Sequence, residues 1–492
     1  MAALGEQLFR RKPIVIQQKH HKGEELARNI GTFQLMMFGV GATVGTGIFF
    51  VLSESIPEAG PAVIISFIVA AICAGLSALC YAELASAIPV SGSTYSYTYH
   101  ALGEIWAVII AGCVLLEYGV AVSAVAVGWS GYFNELLENT LGFRLPDALS
   151  VSFIPGSDGA TTGGIINLPA VVLVGLCCLL LIRGVAESAT VNTIMVLIKL
   201  GVLALFIVLG FTAFNADHFE NFFAFGAAGI SAAAATIFFS FIGLDAVATA
   251  GEEVRNPQKA LPQAIIGALI IVSTVYILVA IAGLAAEPVE FYSTEEASEA
   301  GLAQILENIT GNPIWGTILA AGAVVSIFSV TLVTLYGQTR ILFSISRDGL
   351  VPRRFLKVNA KTMTPIYNTI VVSVIVAIIA GFVPSDYLWD TVSIGTLVAF
   401  SVVALAVIVL RRTKPDLERP FRVPLYPVVP ILTIAACVYI LSGLAAITWV
   451  IFGTWIAIVL LYYWFYGRKH ATLNDYTSAE QIAEPIHPED ET

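Results

Sequence analysis

Three ionisable side chains stand inside long apolar runs, which is where any chemistry of this chain is to be sought. Lys199 lies in Ile194-Met-Val-Leu-Ile-Lys199-Leu-Gly-Val, Glu117 in Leu115-Leu-Glu117-Tyr-Gly, and Asp245 ends Ser240-Phe-Ile-Gly-Leu-Asp245. An ionisable group at the centre of a bilayer costs at least about 2.5–3.5 kcal/mol on insertion scales, so it normally marks function. Burial penalises the ammonium form, which would let Lys199 exchange a proton; the plainer alternative is a lysine that staples two helices together. Glu117 could relay protons or shape a cavity, or be a satisfied packing carboxylate. Asp245 and Glu83 lie nearer to span or half-helix ends, where capping and gating are the economical roles. Glu252 and Arg255 belong either to a cytoplasmic gate or to an ordinary solvated loop.

Glycines mark where backbone could do the binding. The run Gly39-Val-Gly41-Ala-Thr43-Val-Gly45-Thr46-Gly47-Ile-Phe49 sits in the first apolar stretch, and glycine disfavours helix by about 1 kcal/mol per site relative to alanine. Gly41 and Gly45, four apart, also suit close packing of small residues between helices. A second interruption, Phe239-Ser240-Phe241-Ile242-Gly243-Leu-Asp245, falls in the sixth stretch. Paired interruptions at corresponding positions of two halves point to a binding site. An unwound stretch frees N–H groups at the start of the next half-helix, where the dipole favours a carboxylate. Carbonyls freed at the preceding half-helix end favour an ammonium. One such pair could grip both ends of a zwitterion without charged side chains.

The elements that must position these residues follow from composition. Of 492 residues, 57% are hydrophobic and 12% charged, about half the charge of a soluble domain. A bilayer core takes roughly 20 apolar residues per helix. Twelve candidate spans lie near 32–53, 61–86, 105–133, 167–184, 190–214, 229–249, 263–286, 313–338, 366–383, 387–410, 426–446 and 448–466. All of the 24 lysines and arginines except Arg144 and Lys199 fall in the tails and in alternate connections on one side, so both termini are expected in the cytoplasm. Basic residues from Arg10 to Arg28 precede a long first span with no cleavage signature, so that span is expected to be retained. The connection 287–307 carries Glu290, Glu295, Glu296 and Glu299 without a base; it reads as a solvated outer loop, or as an attractor of cations. The six cysteines lie in apolar stretches without a paired motif and the six histidines form no ligand pair within a span, so no metal site is expected.

Four segments carry a resemblance. Gly41 to Phe49 looks like the first-helix signature of the amino acid–polyamine–organocation superfamily. Pro89-Val-Ser-Gly92-Ser-Thr-Tyr95, Glu252-Glu253-Val-Arg255-Asn256-Pro257, and Tyr336-Gly-Gln338-Thr-Arg340 with Ser346-Arg347-Asp348-Gly349 follow in order. Together they resemble bacterial relatives of cationic amino acid transporters over essentially the whole chain. The resemblance implies an all-α fold of twelve transmembrane helices: a leucine-transporter-type five-plus-five inverted repeat with helices 1 and 6 broken, plus two C-terminal helices. The expected divisions are a cytoplasmic tail 1–30, a first repeat 31–214, a second repeat 215–412, the last two spans 413–467 and a cytoplasmic tail 468–492. It implies alternating access, with spans 1, 2, 6 and 7 moving against 3, 4, 8 and 9. Backbone amides around Gly45, Thr46 and Gly47 would take a substrate carboxylate. Thr43 and carbonyls near Phe239, Ser240 and Ile242, beside Gly243, would take the amine, and Phe241 or a neighbouring aromatic would close over it. Thr43 departs from the aliphatic residue common there. In proton-dependent relatives a span-5 lysine occupies the place a sodium ion takes elsewhere, which would set Lys199 against freed carbonyls of span 1.

The function this implies is proton-coupled symport of a small L-amino acid across the cell membrane. The partners are the amino acid, the proton and membrane lipid; no nucleic-acid partner is expected, and the sequence does not decide on an accessory subunit. The alternative is a cationic amino acid exchanger or facilitator with Lys199 permanently protonated, for which the sequence identifies no acceptor of the distal charge. Thr334 and Leu335 of span 8 are candidates to set substrate size. A channel would show filter repeats or charged rings. An enzyme would need convergent His, Cys or carboxylate chemistry within the spans. No cofactor or nucleotide site is visible. A non-transporting nutrient receptor would be expected to carry a large soluble domain.

Overall fold

A computed structural model describes residues 4–14, 28–154, 164–293, 295–383, 386–441 and 446–474. In chain order the helices are α1 (Leu4–Phe9), α2 (Thr32–Thr43), α3 (Thr46–Ala59), α4 (Val63–Ala87), α5 (Ser93–Ala101) and α6 (Glu104–Leu141). There follow the single turn α7 (Asp147–Ser150), α8 (Leu168–Arg183), α9 (Val185–Thr212), α10 (Gly226–Phe238), the single turn α11 (Ala246–Thr249) and α12 (Pro257–Ala286). The rest are α13 (Glu295–Thr310), α14 (Pro313–Arg347), α15 (Ile366–Phe382), α16 (Asp386–Thr413), α17 (Val428–Leu441) and α18 (Ala446–Tyr462).

Among the described residues, eight helical stretches are long and apolar enough to cross a bilayer, and α8, α15 and α17 are shorter apolar helices. The protein is a polytopic all-α membrane protein. Its outward faces carry Leu176, Leu179, Ile375, Ile378 and Leu461 in the open, an apolar surface that only lipid tolerates. The central pair is α6 and α14, which pack on each other and have 67% of their apolar windows buried; α18, at 11%, lies at the periphery. Around that pair, α4 packs on α12, α2 on α12 and α9, and α16 on α6 and α17.

Helix starts obey local chemistry. Asn312 precedes Pro313 and its side chain accepts from Ile314 N at 3.0 Å; Asn167 accepts from Ala170 N at 3.2 Å with Pro169 in the first turn. Each pairing satisfies an orphan donor and fixes φ for the first turn.

Two features depart from a plain reading of the sequence. The acidic connection 287–307 is not simply a solvated loop: α13 turns Leu302, Ile305 and Leu306 inward and packs on α3 and α14. Leu302, Ile305 and Leu306 recur at a spacing of three and four, so one face of its C-terminal half is buried. Then, Ile30 and Val254 form a parallel β-bridge, with Ile30 N donating to Glu253 O at 3.0 Å and Arg255 N to Ile30 O at 3.0 Å. That bridge ties the approach to α2 to the segment that follows α11.

A candidate substrate site between two broken helices

The last four carbonyls of a helix have no intrahelical partner, and at the end of α2 the structure supplies them from elsewhere. Lys199 of α9, fully buried, donates from Nζ to Gly41 O at 3.0 Å and to Val44 O at 2.6 Å. Ser326 of α14 donates to the same Val44 carbonyl at 3.0 Å, and Tyr276 of α12 donates to Thr43 O at 2.9 Å. Thr43 itself turns its hydroxyl back to Gly39 O at 2.9 Å, so its polar atom is satisfied within α2. Asn192, a further α9 residue, donates to Met37 O at 3.3 Å and accepts from Ser329 at 2.7 Å. Three neighbouring helices therefore hold the end of α2 through its backbone.

Only Val44 and Gly45 separate α2 from α3. Gly45 caps α3 without a side chain to offer, so the first N–H groups of α3 are left for another acceptor. Thr46 opens α3, and its side chain lies outside the described residues. Gly47 faces the other interrupted helix: a Cβ there would lie 2.6 Å from Ser240 Oγ. The two breaks thus touch.

The second interruption is longer. After α10 the chain makes a turn of 3-10 helix over Phe239–Phe241 and then runs through Ile242 to Asp245 before α11. Gly243 has φ +107°, and a Cβ on it would meet Ala42 O at 2.7 Å, so both conformation and space exclude a side chain there. Ser240 O accepts from Tyr276 OH at 3.0 Å, which makes that phenol a bridge between the two breaks. Phe239 O accepts from Ile242 N at 3.1 Å. The Ser240 hydroxyl has no partner among the described residues.

A small cavity of about 60 Å³ lies between the breaks, lined by Thr43, Gly45, Gly47, Phe239, Ser240, Ile242 and Gly243 among others. That is room for a few water molecules. Glu117 of α6 and Asp245 also face it, with Thr334 and the apolar Val125, Val330 and Val392. Each carboxylate is held by one oxygen: Thr396 donates to Glu117 Oε1 at 2.6 Å and Tyr118 to Asp245 Oδ2 at 2.6 Å. Glu117 Oε2 and Asp245 Oδ1 have no hydrogen-bond partner among the described residues. A buried, half-satisfied carboxylate seeks a proton or a cation.

Several expected positions move. Phe241 does not close over the cavity; it is buried against Tyr276, ring centroids 5.2 Å apart, and Phe239 is the aromatic at the wall. Leu335 is buried away from the cavity that Thr334 lines. Lys199 is absent from the lining and stands one layer behind it, reaching only backbone.

At the end of the bundle that carries Arg347, Glu252 is clamped rather than solvated. Arg347 donates to it from Nη1 at 2.8 Å and Nη2 at 2.6 Å, and Ser91 from N and Oγ at 3.1 Å each. The next residue, Glu253, pairs with Arg340 at 2.5 Å, both buried. Arg255 contributes its backbone N–H to the β-bridge; its side chain is exposed and, among the described residues, in no ion pair. The ion pairs at this end are therefore Glu252 with Arg347 and Glu253 with Arg340, and the Arg255 side chain enters neither. Asp348 completes the cluster, taking Lys12 and, at 2.7 Å, Tyr95 OH. The arginines stood in quoted motifs, but only packing pairs them with the glutamates. Tyr276 and Ser326 gave no sequence signal, being single polar residues in apolar helices.

Interrupted helices that turn their backbone toward a small cavity between them are the pattern of a solute carrier's binding site. The chain belongs to the amino acid permease family, whose sequence profile matches residues 30–462. It is a transporter of that family, not an enzyme. It is 42% identical over 468 residues to the branched-chain amino acid permease BcaP of Bacillus subtilis, and 41% identical over 468 residues to the methylthioribose transporter of the same organism. Each match covers 95% of this chain and 99% of the relative. The vacuolar cationic amino acid transporter 2 of Arabidopsis thaliana is 36% identical over 421 residues, 84% of this chain and 64% of that protein.

Proposed function

We propose that this permease is a secondary active transporter that moves a small L-amino acid across the cell membrane by alternating access, coupled to protons through Lys199. The reading rests above all on Lys199, a buried amine bonded to two carbonyls at the break beside the cavity. Loss of its proton would remove a donor from Gly41 O and Val44 O, so protonation and the shape of the first break would be linked. The substrate carboxylate would meet the amides of Gly45, Thr46 and Gly47. Its amine would meet the carbonyls of Thr43, Ser240 and Ile242, each with a lone pair to spare. Phe239 would close the site, and the Glu252–Arg347 and Glu253–Arg340 pairs would part to open it. In this reading the broken helices count as spans 1 and 6, the three short apolar helices also cross, and twelve spans form two inverted repeats over 31–214 and 215–412 plus two final helices. Both termini then face the cytoplasm, as the lysine and arginine asymmetry favours.

The cavity's apolar wall of Val125, Val330 and Val392 suits a small neutral side chain. A relative named for branched-chain amino acids is consistent with that choice. A second reading, exchange of cationic amino acids, is favoured by one observation. Glu117 Oε2 and Asp245 Oδ1 could receive a distal ammonium or guanidinium.

The test is uptake of labelled alanine, valine, arginine and methylthioribose into proteoliposomes, with and without an inward proton gradient, for the native chain and Lys199→Ala. Gradient-driven accumulation of alanine or valine, lost in the variant, is the expected result. Uptake that ignores the gradient and requires internal arginine overturns symport and selects the exchanger.

A further inference from the structure

Away from both breaks, a groove of about 660 Å³ runs along the outside of the bundle. Its floor is α6 and α14, its sides α15 and α18. The wall is almost wholly apolar; the one amide in it, Gln338, gives its N–H to Leu115 O at 3.3 Å. On α6 the lining runs from Val108 to Val120. Twelve residues at a 1.5 Å rise span about 18 Å, close to one leaflet's half of a core about 30 Å thick.

The ends of the groove differ. One lies among apolar residues, at Val120 near the middle of α6 and Ile379 in the last turn of α15. The other is formed by the turn after α14, where Leu350, Pro352 and Phe355 line the wall. Between Pro352 and Phe355 stand Arg353 and Arg354, both exposed and, among the described residues, in no ion pair. Exposed aromatic rings mark the same level: Tyr367, 5.4 Å from Phe355 between ring centroids, and Tyr462 and Trp464 at the end of α18. Aromatic side chains gather where the bilayer meets water. Arg468 covers the Trp464 ring at 4.3 Å and adds a third positive charge near that end.

We propose that this groove holds an acyl chain of an anionic glycerophospholipid, with the headgroup phosphate taken by Arg353 and Arg354. Length matches the chain of one leaflet, and charge selects the headgroup: guanidinium groups bind phosphate in two-pronged fashion, and basic residues near an anionic surface draw its lipids. The site is independent of the cargo and of proton coupling.

The full-length protein would be reconstituted in equal phosphatidylglycerol and phosphatidylcholine, extracted in mild detergent, and its retained lipids counted by native mass spectrometry. The native chain is expected to retain phosphatidylglycerol preferentially. Arg353→Gln with Arg354→Gln, surface changes that leave the core intact, should reduce that preference about tenfold, whereas Lys361→Gln in the same connection should not. Ile375→Trp, which fills the groove from an exposed position, should abolish retention of both lipids there. Equal retention of the two lipids by the native chain, no effect of the double variant, no effect of the groove filler, or an equal effect of Lys361→Gln would each overturn the proposal.

Discussion

The two interruptions of this bundle are built on opposite terms. At the first, two residues break the helix, and the carbonyls that the break exposes are met by Lys199, Tyr276 and Ser326 from three other helices. At the second, a longer stretch carries Gly243 in a left-handed conformation and leaves Ser240 Oγ and Asp245 Oδ1 without hydrogen-bond partners among the described residues. A break saturated by protein donors holds its shape alone. A break with open polar groups around a cavity is completed by what enters. The donors therefore hold the carbonyl end of α2 as a frame, while the amides that open α3 and the open groups of the second break are left for what enters.

Removing a frame donor gives the largest effect. Tyr276→Phe strips one hydroxyl from two buried carbonyls, Thr43 O and Ser240 O. A loss of about 1–3 kcal/mol is expected, read as a lower melting temperature of the purified protein. An unchanged melting temperature would erase the distinction between frame and receptor. Ser240→Ala removes a hydroxyl to which no described residue is hydrogen-bonded. Stability should stay within about 0.5 kcal/mol, while the half-saturation of uptake rises about three- to tenfold if substrate bonds to it. A fall in stability with unaltered uptake would place Ser240 in the frame instead.

The smallest effect belongs to the basic end of the bundle, where neither break should be felt. His100 is fully buried in α5, with Nδ1 2.6 Å from Lys12 O. Burial, and then the nearby Lys12 ammonium, push its pKa down to about 3. The unfolded chain, with an ordinary imidazole, then binds the extra proton between about pH 6.5 and 3, so stability falls as pH drops through that window. At pH 6 the loss is under about 1 kcal/mol, and His100→Asn should flatten the slope of melting temperature against pH between 6.5 and 5. A variant with the same slope would assign the pH dependence to another group.

Much of the architecture could be read from the chain. Apolar length marks the helices, and a glycine cluster marks the first break and Gly243 beside Asp245 the second, because glycine inside an apolar helix of this length is unfavourable unless the backbone is wanted. Lys199 and Glu117 stood out because charge at that depth is costly. The aromatic at the cavity was harder to choose: Phe239 and Phe241 are two residues apart, and only the 3-10 turn after α10 puts the first at the wall and the second against Tyr276. Likewise Arg255 is as basic as Arg347, but the β-bridge engages its backbone and leaves its side chain in the open.

Composition and the glycine positions determined by themselves that this is a membrane bundle with two interrupted helices, since desolvation and helix propensity act residue by residue. Pairing was decided by the tertiary structure alone. That Tyr276 spans the two breaks, that Lys199 reaches Gly41 and Val44, and that Arg340 and Arg347 divide Glu253 and Glu252 between them all join residues far apart in the chain. A donor in an apolar helix needs some acceptor, but which one depends on how the helices rotate and cross, and that is set by side-chain packing along their whole length.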